Sequence, residues 1–242
     1  MRRWLPAATA GATPRPAESR TLRLETVQVA VDDRVLLEDV SLDLDARRIA
    51  VIGANGSGKS TFARLLNGLM TPTSGTVTVH GLDVARDRAQ VRRRVGFVFT
   101  DPDAQILLPT PAEDLALSLR GRPRDEVAVL VRETLERHGL GAHADVPATG
   151  LSGGQKQMLA LAGVLLAEPA LIVADEPTTL LDLRNARRIG DLLLAQEAQV
   201  LIVTHDLELA ARCDVAILFD GGRVVGQGEP RRVVARYREM CA

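Results

Sequence analysis

The sequence predicts an α/β domain, and three observations support that prediction. Three short apolar runs rich in branched residues, at 49–52, 170–174 and 199–203, are typical of buried strands. The first run leads through a glycine-rich loop into the apolar spacing of a helix over 59–69. The composition, 46% hydrophobic and 25% charged over 242 residues, is sufficient for a well-buried core and argues against a long disordered body.

Composition also argues against several classes of function. A net charge of −1 and a pI near 6.4 are unlike a nucleic-acid-binding protein, which usually carries a basic excess. The longest apolar runs are well below the roughly 18–20 residues that a membrane helix needs, so a membrane role would come through a partner. Cys213 and Cys241 lack the spacing of a metal site, and we expect the cytosol because no secretory signal is recognisable.

The first twenty residues are rich in Ala, Pro, Thr and Arg. They lack the apolar core of about 7–15 residues that secretory signals contain. We expect residues 1–20 to be a disordered leader, with a start codon assigned too early as the alternative. The folded domain is expected at 21–242.

The loop after the first strand has the pattern of a phosphate-binding loop, G-x-x-x-x-G-K-[ST]. Its glycines allow backbone N–H groups to surround phosphate oxygens at the start of the next helix. Only two of the 30 basic residues are lysines, and Lys59 stands where a slim ammonium must reach phosphates inside a closed loop. Ser60 is the expected Mg²⁺ ligand. The strand before and the helix after argue against a turn without a ligand. The candidate nucleotide-binding residues of this glycine loop (residues 53–61) are Gly53, Ala54, Asn55, Gly56, Ser57, Gly58, Lys59, Ser60 and Thr61.

Two carboxylates follow the second predicted strand. Asp175 stands at the carboxyl end of a buried strand, which suits a Mg²⁺ ligand beside the glycine loop. Glu176 is the candidate to orient or deprotonate an attacking water. A solvated acidic turn is the alternative, and the apolar strand and the upstream loop favour the functional interpretation.

A histidine follows the third predicted strand. His205 occupies the same position relative to its strand as Asp175 does, so it is a candidate to hydrogen-bond a γ-phosphate or the attacking water. The other histidines lack such a setting and receive no role: His80, His138 and His143.

A second anion site is predicted at the start of another helix, after the segment LSGGQ (residues 151–155). Together, GANGSGKST, LSGGQ, LIVADEP, LLD and VTHD resemble the ATP-binding-cassette (ABC) ATPase family over nearly the whole chain from about residue 21. The resemblance implies a P-loop NTPase fold: a RecA-like, mostly parallel core sheet, an N-terminal antiparallel β subdomain and a helical subdomain at about 105–165.

The resemblance also implies a site shared between two copies. In this family two cassettes face head to tail, and each ATP lies between the glycine loop of one copy and the signature segment (residues 151–155) of the other. Asp182 matches the loop that crosses this interface. Because every hydrolytic motif is intact, the resemblance implies a homodimer that hydrolyses ATP with Mg²⁺. The residues matching the signature are Leu151, Ser152, Gly153, Gly154 and Gln155.

Two positions depart from the family pattern. The family usually stacks an aromatic residue on adenine, but Trp4, in the leader, is the only aromatic residue before Phe62, which leaves Arg34 as the alternative. The family also places a glutamine after the VGFVF strand, where it contacts Mg²⁺ and senses the membrane partner. Here that position is Thr100, with Gln105 or a bridging water as the substitute.

Residues 46–60 and 96–119 resemble the energy-coupling-factor importers, and most of all the ATPase subunits of biotin importers. This resemblance implies a peripheral protein at the cytoplasmic face of the cell membrane, with a transmembrane scaffold subunit, a separate substrate-binding membrane subunit and no nucleic acid. Cobalt, nickel or another vitamin is the nearest alternative cargo. A non-transport cassette and a non-hydrolysing regulatory cassette are more distant alternatives, disfavoured by the single acidic cassette and the intact motifs.

Overall fold

The computed structural model describes residues 20–242, so the predicted leader lies outside the described residues apart from Arg20. The strands, numbered in chain order, form two sheets. The first sheet contains β1 (Leu22–Val31), β2 (Arg34–Leu44), β4 (Ser74–Val79) and β5 (Leu82–Asp83). The second contains β3 (Arg48–Gly53), β6 (Val95–Val98), β7 (Leu171–Asp175), β8 (Gln199–Val203), β9 (Val215–Asp220) and β10 (Arg223–Gly228).

The larger sheet has the order β10-β9-β3-β8-β7-β6 and is parallel except for the β9–β10 hairpin. The smaller sheet has the order β2-β1-β4-β5, and all its pairs are antiparallel. The three strands predicted from the apolar runs are β3, β7 and β8, which lie side by side at the centre of the parallel sheet. The predicted combination of a mostly parallel core sheet and a separate antiparallel sheet is confirmed.

Eight α-helices complete the described part of the chain. They are α1 (Lys59–Leu66), α2 (Arg88–Arg94), α3 (Pro111–Leu117), α4 (Arg124–Arg137), α5 (Gly153–Leu166), α6 (Leu183–Leu194), α7 (Leu207–Ala210) and α8 (Pro230–Met240). None of the helices within residues 20–242 is long and apolar enough to cross a membrane.

Alternate side chains of the central strands face opposite sides of the parallel sheet and contribute to two hydrophobic cores. In β3, Ile49 and Val51 face a core that also contains Phe62 of α1 and the inner side of the antiparallel sheet. Ala50 and Ile52 face the opposite core, which α3 to α8 line. Because successive strand residues point to opposite faces, a run without polar residues is buried on both sides. Helix α1 is therefore held between the two sheets, directly after the glycine loop.

The segment between β6 and β7 is helical. Helices α3, α4 and α5 pack on one another, and α5 also contacts β6. Leu115, Leu135 and Leu159 are buried in the same core as Ala174 of β7, so this region is continuous with one face of the parallel sheet. Helices α3 and α4 both lie within this segment.

Candidate active site

Parallel pairing brings the predicted site residues to one edge of the sheet. Strand β8 lies between β3 and β7, so the carboxyl ends of all three meet at that edge. The Glu176 N–H donates to the Val203 carbonyl at 2.9 Å, and the Thr204 N–H donates to the Val51 carbonyl at 3.0 Å. These bonds extend the ladder past the strand ends and fix the backbone from which Glu176 and His205 project.

Two glycines of the loop are required by space as well as by backbone conformation. Gly53 has φ +142°, and a Cβ there would lie 2.1 Å from the Phe219 carbonyl oxygen. Gly58 has φ +101°, and its Cβ would lie 2.7 Å from Leu37. Gly56 has φ +77° in open space, so only its backbone conformation demands glycine. The loop is consequently pressed against the strands behind it, with its open side toward solvent.

Lys59 is the first residue of α1, and its side chain folds back over the loop. Its Nζ donates to the carbonyls of Gly53 at 2.9 Å and Ala54 at 2.7 Å, and the residue is only 6% exposed. An ammonium has three donors, so one remains for an anion. Burial lowers the pKa of Lys59, opposed by the negative charges of Glu176 and Asp175. An arginine would have to place a planar five-donor group in this closed space.

Ser60 and Asp175 form an oxygen pair at the bottom of the site. The Ser60 hydroxyl donates to Asp175 Oδ1 at 2.9 Å, and Asp175 is 2% exposed. Burial raises the pKa of Asp175, opposed by the Ser60 hydrogen bond and by the charges of Arg64 and Lys59. A hydroxyl and a carboxylate are the oxygen ligands that Mg²⁺ prefers, and a bound divalent cation favours the ionised carboxylate. The donor set fits the predicted metal.

Glu176 and His205 are in direct contact. His205 Nδ1 lies 2.7 Å from Glu176 Oε2, and the His205 N–H donates to the same oxygen at 3.3 Å. Thr179, which sequence reasoning missed, donates its hydroxyl to Oε2 at 3.0 Å. Glu176 has φ +52°, a conformation that non-glycine residues rarely adopt. The bond to the neighbouring strand and three donors hold this carboxylate at the edge of the sheet despite the strained backbone.

Thr100 and Gln105 occupy different environments. The Thr100 hydroxyl donates to the backbone carbonyl of Asp175 at 2.9 Å. The Gln105 side chain accepts from the Phe99 N–H at 3.1 Å and donates to the Ala160 carbonyl at 3.2 Å. The structure thus places Thr100 beside the end of β7 and commits both polar groups of Gln105 to the backbone. A reach of Gln105 toward the metal would break both bonds.

The signature segment opens α5. Ser152 caps the helix: its Oγ accepts from the Gln155 N–H at 3.4 Å, and the Gln155 side chain accepts from the Ser152 N–H at 2.8 Å. The N–H groups of Gly153 and Gly154 have no carbonyl of a preceding helical turn to bind, and the helix dipole makes this end positive. Among the described residues, no hydrogen bond of Ser152 or Gln155 reaches the glycine loop. Within the described part of one copy, Ser152 and Gln155 hydrogen-bond to each other, and Gln155 also to His143, not to the glycine loop.

Asp182 caps α6 next to the signature segment. Its carboxylate accepts from the Asn185 N–H at 2.9 Å and from the Asn185 side chain at 2.7 Å. These bonds lower the pKa of Asp182. A Cβ on Gly154 would lie 2.8 Å from Asn185 Nδ2. On either side of Asp182, Leu180 and Leu183 are 71% and 66% exposed. The signature segment and the Asp182 loop therefore form one surface with exposed apolar side chains.

The model of the ABC transporter family matches residues 37–179. This chain belongs to the ABC transporter family. The parallel sheet, the glycine loop and the helical region are accordingly those of an ABC ATPase, and the ligand of the glycine loop is ATP.

Relatives agree with that assignment. A protein of Deinococcus radiodurans with only the general name of ABC transporter ATP-binding protein is 46% identical over 220 residues, covering 90% of this chain and 97% of its own. The biotin transport ATP-binding protein BioM of Rhizobium etli is 41% identical over 223 residues, covering 91% of this chain and 99% of its own.

Solved structures share the fold. CbiO1 of Clostridium perfringens, described as part of the ABC transporter complex cbiONQ, aligns with a TM-score of 0.79 and 31% identity over 93% of this chain and 94% of its own. The cassette MJ0796, a dimer bound to ADP and Pi, aligns with a TM-score of 0.76 and 28% identity over 87% of this chain and 99% of its own.

Proposed function

We propose that this ABC ATPase energises an energy-coupling-factor importer, that two copies share two ATP sites, and that biotin is the cargo. The observation that carries the ATPase role is the meeting of Lys59, Asp175, Glu176 and His205 at one sheet edge. A cassette that binds ATP without hydrolysing it would not require a proton acceptor, Glu176, beside the buried carboxylate of Asp175. The BioM relative and the sequence of residues 96–119 support the choice of importer.

In this proposal the chain's own groups divide the work of hydrolysis. The loop N–H groups and Lys59 hold the β and γ phosphates, while Ser60 and Asp175 hold Mg²⁺. When bound, Mg²⁺ neutralises charge that develops on the phosphate oxygens. Glu176 accepts a proton from water as the water oxygen bonds to the γ-phosphorus. The bond from that phosphorus to the bridging oxygen breaks, and ADP and phosphate leave.

The separation of the glycine loop from the signature segment supports the shared site. Each copy presents a positive helix start at residues 151–155, and no described residue of the same copy supplies an anion to it. A second copy placed head to tail would bring its ATP γ-phosphate to that helix start. The similarity to MJ0796, whose structure is a dimer, supports the same arrangement. The exposed Leu180 and Leu183 would then be covered at the interface.

A groove beside α2 is the proposed contact with the membrane scaffold. The groove has a volume of about 280 Å³ and lies between α2 and β6 on one side and α3 and α5 on the other. Leu107, 74% exposed, stands on its rim. The scaffold would hold the protein at the cytoplasmic face of the membrane.

The segment 99–105 is the proposed route from that groove to the ATP site. It is tied to α5 by the ion pair between Lys156 and Asp103 at 2.7 Å and by the hydrogen bond that Gln105 Nε2 donates to the Ala160 carbonyl. It is tied to the metal-binding strand by the bond from Thr100 to the Asp175 carbonyl. Thr100 therefore acts on the position of Asp175 rather than on the metal itself, which accounts for a short side chain at this position.

Biotin uptake tests the proposal. Cells that require external biotin would co-express this chain with its candidate scaffold and substrate-binding subunits, and the control would carry Glu176→Gln. We expect uptake that depends on Glu176. Assembly of the complex without Glu176-dependent biotin uptake would exclude biotin and make cobalt, nickel or another vitamin the cargo to test next.

A further inference from the structure

His143 is a histidine that the proposed reaction does not use. It lies in a short 3₁₀ turn at Gly141–His143, in the loop that leads to the signature segment. Its Nε2 atom lies 3.1 Å from Nε2 of Gln155, the last residue of that segment. The contact joins a loop of the helical region to the first turn of α5.

The neighbours of Gln155 determine the orientation of its side-chain amide and the tautomer of the His143 imidazole. The oxygen of the Gln155 amide accepts from the Ser152 N–H at 2.8 Å, so the amide NH₂ is the group that faces His143. An NH₂ group only donates, and His143 Nε2 must therefore carry a lone pair. The ring is then neutral, with its proton on Nδ1. Among the described residues this Nδ1 is buried without a hydrogen-bond partner, so the ring's polar contact is the one with Gln155.

We propose that His143 is a positioning residue for the signature segment. By accepting from the Gln155 NH₂ it prevents the amide from turning over, and the amide oxygen stays on the Ser152 N–H. Ser152 and Gln155 then hold each other in the capped form, and the N–H groups of Gly153 and Gly154 stay presented to phosphate. The inference rests on the proposed function, in which this helix start binds the ATP of a second copy.

The test is ATP-driven dimer formation in a Glu176→Gln background, measured by size-exclusion chromatography with light scattering over a range of ATP concentrations. We expect His143→Leu, and the smaller His143→Ala, to raise the ATP concentration at half-dimerisation about tenfold, because a hydrogen bond is lost at each of two sites. His143→Gln places an amide oxygen three bonds from Cβ, as Nε2 is, and should restore dimerisation to within about twofold. Binding of a fluorescent ADP to the glycine loop should not change in any of these variants.

Two controls separate positioning from general stability. His138→Leu removes a histidine of the same helical region that is itself only 8% exposed, and it should leave dimerisation unchanged. Adding His143→Leu to Gln155→Met should cause no further loss, because His143 acts through Gln155.

The outcomes are distinguishable. Dimerisation of His143→Leu or His143→Ala at the parent ATP concentration would overturn the inference, and so would a failure of His143→Gln to restore it. If the parent Glu176→Gln chain binds ADP but forms no dimer with ATP, the proposed function fails and this inference fails with it.

Discussion

In the proposed ATP site, the glycine loop and the signature segment bind the same chemical group by different means. The loop is built into the sheet: Lys59 and Asp175 are 6% and 2% exposed, and the glycines press against neighbouring strands. The signature segment is an exposed helix start next to side chains from elsewhere in the chain, namely His143 and Asn185. A site fixed by buried backbone is complete in one copy, whereas a site fixed by side-chain caps can be adjusted when a partner moves.

The largest loss of ATP turnover is expected from a change at Glu176, which lies beside the glycine loop. Glu176→Gln removes the proton acceptor but keeps the side-chain shape, so the turnover of ATP should fall by at least about 100-fold. Phosphate release at saturating ATP measures it, with Thr179→Val as a milder companion that removes one donor to the same carboxylate. Equal phosphate release from wild type and Glu176→Gln would remove Glu176 from its proposed role.

Lys59 is expected to affect binding rather than turnover. Lys59→Ala removes a charge-assisted contact to phosphate, so ATP affinity should weaken by about 10- to 100-fold. Lys59→Arg should not restore it, because the buried space holds an ammonium on two carbonyls and a guanidinium has a different shape. Calorimetric titration with ATP compares the two variants. Full affinity in Lys59→Arg would contradict the proposed need for lysine.

On the signature side, alanine at Gly153 and alanine at Gly154 should affect stability differently. Gly153 has no neighbour within 4 Å of a built Cβ, so Gly153→Ala should keep or raise the free energy of unfolding, by up to about 1 kcal/mol. Gly154→Ala would meet Asn185 and should lower it by about 1 kcal/mol. Both should weaken ATP-driven dimerisation. Urea unfolding measures the free energy of unfolding of both variants. A lower value for Gly153→Ala than for wild type would contradict the open surface around Gly153.

The ion pair between Lys156 and Asp103 should have the smallest effect on stability. Asp103 is 63% exposed in its side chain, and such pairs contribute at most about 1 kcal/mol. Asp103→Asn should therefore leave thermal unfolding nearly unchanged while reducing the stimulation of ATPase activity by the membrane scaffold. A large loss of thermal stability with normal stimulation would show that the pair is structural.

Local sequence patterns predicted the central strands β3, β7 and β8 and the candidate residues that follow them, whereas the antiparallel sheet was expected only from the family resemblance. The strands β3, β7 and β8 are apolar on both faces, and the glycine spacing follows directly from the loop conformation. The contacts of the signature side were not predictable in the same way. His143 lies 12 residues from Gln155, and Asn185 lies 31 residues from Gly154, and neither belongs to a motif. Thr179 is close to Glu176 in sequence, but its role depends on the left-handed backbone at Glu176.

The central claim is that each ATP site combines the loop of one copy with the signature segment of another. It is tested most directly by mixing two variants, Lys59→Ala and Gly153→Asp, at an ATP concentration too low to occupy the weakened loop of Lys59→Ala. Gly153→Asp places a negative charge where phosphate would bind. Mixed dimers contain one site with an intact loop and an intact signature segment. A one-to-one mixture should recover about a quarter of the wild-type ATP turnover, since half of the dimers are mixed and each has one working site. Mixed dimers that form and show no turnover above the separate variants would contradict it.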